Sequence, residues 1–180
     1  MRKVQLNVGG VPVGKATTWA YPQGKPLGYF EIPTYTMTVT GSLGGRRVSH
    51  AFEVLRFGVS CKDGKTARVV GLADQQTHVV RAWIPTYEVH SANSPENGGW
   101  QVYGNFLIHD GPDNATEVFA SIGCVEVMGT RGFVRFNDLL IQLTGAVGSK
   151  RNDQLHQIAR SGLLSISYDR ASRPPLVAIP

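Results

Sequence analysis

The stretch from Thr34 to Leu43 is T-Y-T-M-T-V-T-G-S-L, in which threonines alternate with tyrosine, methionine and valine. A period of two is typical of a half-buried β-strand, because successive side chains of a strand point to opposite faces. Gly44-Gly45 follows as a hairpin signal, and Arg46 to Val59 is predicted as the return strand. This hairpin favours a mainly β chain.

Shorter elements are predicted around this hairpin. Alternation and turn residues indicate strands over Met1 to Val8, Thr17 to Tyr21, His78 to Val89, Trp100 to His109 and Leu163 to Tyr168. Helical spacing predicts a helix over Phe133 to Leu143, with Asn137 and Asp138 facing outward, and a second short helix over Gln154 to Arg160. The expected fold is a mainly antiparallel β barrel or sandwich with one or two short helices, and an immunoglobulin-like sandwich is the alternative.

Length and composition fit one domain spanning residues 1–180, in which 42% of residues are hydrophobic and 17% charged. The net charge of +5 gives a positive surface that attracts polyanions, but the basic residues are scattered and form no nucleic-acid signature. No secretory signal and no apolar run of bilayer length are found. The chain is therefore expected to be made in the cytoplasm, without nucleic-acid binding or membrane insertion.

Two cysteines are present, Cys61 and Cys124. Two thiols alone do not make a metal site, and secreted disulfide frameworks usually carry more cysteines. Cys61 is interpreted as a structural thiol, and a disulfide with Cys124 is the alternative.

Candidate chemistry is concentrated in Asn105 to Met128, N-F-L-I-H-D-G-P-D-N-A-T-E-V-F-A-S-I-G-C-V-E-V-M. His109 ends an apolar strand, and Cys124 follows a loop. A cysteine with a nearby imidazole is a typical nucleophile and base pair. The amides of Gly123 and Cys124 are candidates for an oxyanion hole, whereas a buried structural thiol is the alternative for Cys124.

The same residues resemble the catalytic domain of L,D-transpeptidases (the YkuD type). Its His, Ser, Gly, Cys and aliphatic positions match His109, Ser121, Gly123, Cys124 and Val125 in order. Ile122 and Glu126 stand where the family has a second His and an Asn or Arg. In this respect the chain is similar to divergent members among type VI secretion effectors. The resemblance is strongest over about 25 residues and softer over residues 83–145, where Ile84-Pro85-Thr86-Tyr87 corresponds to a Pro-x-Tyr strand.

The resemblance implies a fold and a reaction. The fold would be the β barrel or sandwich of L,D-transpeptidases. Cys124 would be the nucleophile, His109 the general base, Asp110 the residue whose carbonyl orients that base, and Ser121 a brace. Cys124 would attack the diaminopimelate carbonyl of a peptidoglycan stem peptide and release D-Ala, without metal or organic cofactor. The enzyme would be a toxin that acts in the periplasm after specialised secretion, opposed by an immunity protein.

Further side chains are candidates for substrate contacts. Tyr87 and Trp100 are predicted as walls of the cleft, His90 as a lining residue and Arg131 as a receptor for a substrate carboxylate. The alternatives are core packing for the aromatic residues, a solvated loop for His90 and an exposed position for the arginine.

Two other functions stay open. One is a non-catalytic β module that binds cell-envelope polymer or a partner protein. The other is a cysteine peptidase or amidase of a different family that uses the same Cys124–His109 pair on another bond.

Overall fold

The computed structural model describes residues 1–22, 24–89 and 96–180, with residues 24–26 described by their backbone. His90, one of the predicted substrate contacts, lies outside the described residues. The described chain forms fourteen strands and two helices: β1 Val4–Val8, β2 Gly14–Ala20, β3 Gly24–Leu43, β4 Arg46–Leu55, β5 Phe57–Ser60, β6 Arg68–Gly71, β7 Gln76–Val79, β8 Ala82–Ile84, β9 Gly99–Tyr103, β10 Phe106–Asp110, β11 Val118–Phe119, β12 Val125–Val127, α1 Gly132–Thr144, α2 Arg151–Ser161, β13 Leu164–Tyr168 and β14 Val177–Ile179.

A twelve-stranded sheet dominates the fold, with the order β7-β13-β1-β3-β4-β12-β10-β9-β8. Strands β2 and β14 pair with β3, and β11 pairs with β2, while β5 and β6 form a separate two-stranded sheet. Most pairs are antiparallel, but β1–β13, β10–β12 and β2–β11 are parallel. The predicted hairpin of β3 and β4 is the longest antiparallel ladder, and its register runs from Thr34↔Leu55 to Leu43↔Arg46.

The two faces of the central sheet bury different apolar clusters. Val54 on β4 belongs to the larger core, which also contains Phe136 of α1. The next residue, Leu55, belongs to a smaller core with Ile32 and Val59. Adjacent residues of one strand thus point to opposite sides, as the alternation of a pleated strand requires. We refer to the side of the smaller core as the Leu55 face.

The predicted mainly β fold with one or two short helices is confirmed. The two predicted helices correspond to α1 and α2. Asn137, predicted to face outward, is instead 4% exposed and accepts a hydrogen bond from the indole N–H of Trp100 at 2.8 Å. A buried indole needs such an acceptor, which explains a polar residue on the packed face of the helix.

Three of the predicted strands are each divided in two: residues 46–59 into β4 and β5, which belong to different sheets, residues 78–89 into β7 and β8, which ends at Ile84, and residues 100–109 into β9 and β10. Residues 100–109 form two antiparallel strands, β9 and β10, that turn at Gly104-Asn105. Gly104 has a φ of +53°, a left-handed conformation that glycine adopts without strain. The hairpin carries His109 on a separate strand from Trp100.

Candidate active site around Cys124 and His109

Parallel pairing of β10 and β12 brings the two ends of the predicted motif together. His109 lies opposite Glu126 in the register, and Ile108 lies opposite Val125. Because side chains alternate along a strand, Glu126 shares a face with Leu107 and His109, and Cys124, which directly precedes β12, has its sulfur at the backbone N–H of Leu107. Glu126 also pairs with Leu55, so this is the Leu55 face of the sheet.

The Cys124 thiol is enclosed, with 3% of the residue exposed. Its Sγ accepts a hydrogen bond from the backbone N–H of Leu107 at 3.4 Å and lies 3.9 Å from the carbonyl oxygen of Asn105. Burial raises the pKa of the thiol to about 12, the Glu126 carboxylate adds to this, and the Leu107 N–H opposes it. The resting thiol is therefore protonated at neutral pH, and not the thiolate expected beside an imidazole.

The His109 side chain is oriented by its own neighbour. Its Nδ1 lies 2.7 Å from the carbonyl oxygen of Asp110, which can only accept a hydrogen bond. Nδ1 therefore carries the proton, and Nε2 is the basic nitrogen. The resemblance to L,D-transpeptidases predicts such a contact between His109 and the backbone carbonyl of Asp110. No hydrogen bond joins the His109 ring to the Cys124 thiol within the described chain.

Glu126 is the functional candidate that sequence reasoning missed. Its Oε1 lies 3.9 Å from His109 Nε2, and neither carboxyl oxygen has a hydrogen-bond partner among the described residues. Burial raises the pKa of this carboxyl to about 8, the Ser121 hydroxyl opposes the change, and Asp110 adds to it. The sequence signal that could have identified Glu126 is its position two residues after Cys124, because residues two apart on a strand share a face.

Ser121 fixes the segment that leads to the thiol. Its hydroxyl donates to the carbonyl oxygen of Phe57 at 3.2 Å, and its N–H donates to Thr18 Oγ1 at 3.0 Å. Gly58 lies so close that a Cβ there would be 2.0 Å from the Ser121 carbonyl oxygen. Strand β5 is thus packed directly on this segment, and the contacts of Ser121 are those of a brace.

Gly123 turns the chain just before the cysteine. Its φ is +97°, and a Cβ at this position would lie 2.7 Å from the Cα of Gly71. Within the described chain, neither the Gly123 N–H nor the Cys124 N–H donates a backbone hydrogen bond. Both residues are buried, and the oxyanion hole expected from their amides stays a prediction.

Replacing Gly123 by alanine should lower the free energy of unfolding by at least about 2 kcal/mol, because it adds both backbone strain and a steric clash. Gly104→Ala is the matched control, since Gly104 also has a left-handed φ but a Cβ there would meet nothing within 4 Å. Urea unfolding of both variants measures the difference. Equal losses would show that the contact with Gly71 is unimportant.

The predicted substrate contacts are not all brought together. The Tyr87 ring lies 5.2 Å from the His109 ring, beside the site. Trp100 does not line it, because this residue is fully buried and pairs with Ile108, whose side chain points to the opposite face. Arg131 is exposed just before α1, beyond the carboxyl end of β12, whereas Cys124 precedes that strand. We exclude Trp100 from the site, and no contact among the described residues links Arg131 to it.

Two cavities lie near the motif. One cavity of about 550 Å³ is lined by Asn105, whose carbonyl oxygen lies 3.9 Å from the thiol, and by Ile122, two residues before Cys124. Its other lining residues are Tyr21, Pro22, Ser60, Lys62, Val70, Tyr103, Gly104 and Phe106. A larger groove of about 1050 Å³ runs between β4 and α1, past Glu53 and Arg135, and none of the predicted site residues lines it. Of these two cavities, the smaller one lies nearer to Cys124, because Asn105 lines it and contacts the sulfur.

In the described part of the chain, no three His, Cys, Asp or Glu side chains are grouped so as to hold a metal ion. Of the helices described, neither has the length and apolarity needed to cross a membrane. No family model, curated protein or solved structure matches this chain.

Proposed function

We propose that the protein is a peptidoglycan-modifying cysteine enzyme that acts at the bond between diaminopimelate and D-Ala in stem peptides. The observation that carries this proposal is the register of β10 and β12. It brings the segment of Cys124 alongside the strand that carries a His109 ring with a basic Nε2, and Asn105, whose carbonyl oxygen lies 3.9 Å from the sulfur, lines a cavity. The resemblance to L,D-transpeptidases supplies the substrate.

The raised pKa of the thiol restricts the mechanism. A preformed thiolate would be poorly stabilised in this enclosed position. The proton must therefore leave the sulfur as the bond to carbon forms, which is general-base catalysis. His109 Nε2 takes this proton, and Asp110 holds the ring through Nδ1.

The reaction then proceeds in two halves. The sulfur of Cys124 attacks the diaminopimelate carbonyl, and the amides of Gly123 and Cys124 receive the negative oxygen. Collapse of this intermediate breaks the peptide bond, and His109 returns its proton to the amine of the departing D-Ala. The thioester on Cys124 is resolved by water, giving a tripeptide, or by an amine, giving transpeptidation or exchange of D-Ala.

Asn105, Phe106 and Ile122 line the smaller cavity on the side of the thiol. A stem peptide in this cavity reaches the sulfur only when these residues move. A substrate in this cavity would meet apolar and aromatic walls and the ammonium group of Lys62 at its rim. This arrangement suits a peptide that carries a carboxylate.

The proposed setting follows from the resemblance alone. The enzyme would act as a toxin in the periplasm of a target cell after specialised secretion, and an immunity protein would block it in the producing cell. The net charge of +5 would favour its approach to the anionic bacterial envelope.

Digestion of purified sacculi tests the proposal. Wild-type protein should convert tetrapeptide muropeptides to tripeptides, or exchange their terminal D-Ala, as measured by mass spectrometry. Cleavage at a sugar–peptide or other peptide bond would instead favour an amidase or peptidase that uses the same pair. Unchanged muropeptides would count against any hydrolytic activity on this polymer.

A second candidate is a non-catalytic module that binds envelope polymer or a partner protein. The enclosure of the Cys124 thiol and its lack of a hydrogen bond to His109 favour this function. Sedimentation with sacculi separates the two candidates when it is combined with an assay for free D-Ala. Binding without D-Ala release supports the module, whereas release that depends on Cys124 supports the enzyme.

A further inference from the structure

Glu126 carries a carboxyl group that is buried but accepts no hydrogen bond from the described residues. The residue is 1% exposed, and both of its carboxyl oxygens are without hydrogen bonds among the described residues. A buried ionisable group normally requires an opposite charge or several donors. Its presence on the face that carries Cys124 and His109 calls for a function.

Among the residues that the structure describes, His109 is the one cationic partner of Glu126. In the described part of the chain, the single ion pair of Glu126 is the one with His109, whose Nε2 lies 3.9 Å from Oε1. This nitrogen is also the basic one, because Nδ1 donates to the Asp110 carbonyl oxygen. The two side chains face each other directly across the parallel strand pair.

The other described neighbours of Glu126 carry no competing cation. Asp110 on β10 is itself acidic, and Ser121 and Cys124 precede β12 on the same segment. Burial raises the pKa of Tyr87, which follows β8, and the negative charges of Cys124 and Glu126 would raise it further. From β4, the paired residue is the apolar Leu55. The charge of the Glu126 carboxyl is therefore tied to the charge of the His109 imidazole.

We propose that Glu126 and His109 share a single proton, and that Glu126 is a positioning residue that sets the pH at which His109 can take the proton of the Cys124 thiol. The catalytic consequence rests on the proposed function, but the shared proton is measurable without substrate.

The protonation states of His109 and Glu126 determine whether a higher pH increases or decreases the ability of His109 to accept the thiol proton. With one proton, the pair is either imidazolium and carboxylate, in which Nε2 is already occupied, or imidazole and carboxylic acid, in which the protonated Glu126 no longer offers a negative charge to a new imidazolium. Loss of this proton leaves a neutral imidazole beside a carboxylate, the form in which His109 can accept the thiol proton. Burial raises the pKa of Glu126 to about 8, so this form grows as the pH rises through about 8.

Nuclear magnetic resonance of the full chain tests the shared proton directly. The ring nitrogens of His109 and the carboxyl carbon of Glu126 should titrate with common midpoints, because the two groups form one coupled system. In Glu126→Gln, the His109 midpoint should move to lower pH by about one unit or more, because the amide removes a negative charge. Glu53→Gln, at an exposed carboxylate on β4, is the control and should leave the His109 midpoint unchanged.

Kinetics test the consequence. For wild type, kcat/KM for D-Ala release should rise as the pH increases through about 8. In Glu126→Gln, the rise should occur at lower pH, and the plateau should fall at least about tenfold, because the imidazolium loses its counter-charge. A merely structural role of Glu126 would lower the rate without moving the pH midpoint.

The outcomes are distinguishable. Unlinked His109 and Glu126 titrations in wild type would overturn the proposal, even if the Gln variant does not fold, and so would a His109 midpoint that is the same in Glu126→Gln. If the His109 and Glu126 titrations are linked but no D-Ala is released, the shared proton is supported and the proposed enzymatic function is wrong. Glu126→Asp, which withdraws the carboxylate by one methylene, should give an intermediate midpoint.

Discussion

Cys124→Ser should reduce the release of D-Ala from sacculi by at least about a thousandfold, because a hydroxyl is a far weaker nucleophile than the sulfur it replaces. Serine preserves the size of the side chain and the acceptor for the Leu107 N–H, which donates to the sulfur at 3.4 Å. The variant should therefore keep its fold. A coupled assay for free D-Ala measures the rate, and circular dichroism checks the structure.

Cys61→Ser is the matched control for this substitution. Cys61 is also fully buried, but it lies in the smaller apolar core, and its thiol donates to Asp63 at 3.5 Å. A serine hydroxyl can make the same hydrogen bond, so near wild-type activity is expected. Equal activity of Cys124→Ser and wild type would rule out the proposed nucleophile.

Arg56→Met should lower the free energy of unfolding by at least about 3 kcal/mol, because it leaves three part-buried carbonyl groups without donors and removes a fully buried side chain from its aromatic neighbours. Arg56 is fully buried at the junction of β4 and β5. Its guanidinium donates to the carbonyl oxygens of Leu72, Gly9 and Asp169 at 3.0, 2.8 and 2.6 Å. One side chain thus joins three distant segments, and methionine replaces none of these hydrogen bonds.

Aromatic rings complete the environment of this arginine. Its Cζ lies 5.7, 5.6 and 5.4 Å from the ring centroids of Tyr35, Phe57 and Tyr168. A planar guanidinium can stack on such rings while it donates in its plane, which an ammonium group does less well. Arg56→Lys should therefore recover only part of the loss.

Guanidinium unfolding of these variants measures the contribution of Arg56. Arg47→Met, at an exposed position on β4, is the control and should change stability by less than about 0.5 kcal/mol. A loss for Arg56→Met as small as that of the control would show that the three carbonyl contacts contribute little.

Local sequence patterns determined the parts of the fold that could be predicted. The threonine alternation of β3 and the Gly44-Gly45 turn identify the central hairpin, and the spacing of Phe133, Phe136 and Leu140 identifies α1. The error over residues 100–109 came from treating continuous β propensity as one strand, although Gly104-Asn105 is a hairpin signal. The parallel pairing of β10 with β12 depends on contacts distant in sequence, which no local pattern specifies.

The distinction between local patterns and contacts distant in sequence also explains which features of the candidate site could be predicted. The order of His109, Ser121 and Cys124 predicted a cluster, and the strands place His109 and Cys124 on one face. Sequence order could not show that β5 encloses the segment before the thiol, because that layer comes from a distant part of the chain. It also could not show that Arg131 lies at the other end of β12 or that Trp100 belongs to the core.

The most direct test of the proposed chemistry is the mass of the protein after brief incubation with a stem tetrapeptide and acid quenching. We predict an adduct with the mass of the tripeptide acyl group, located on Cys124 by peptide mapping and absent from Cys124→Ser. Release of D-Ala with no adduct on Cys124, or an adduct on Cys61 instead, would contradict the account.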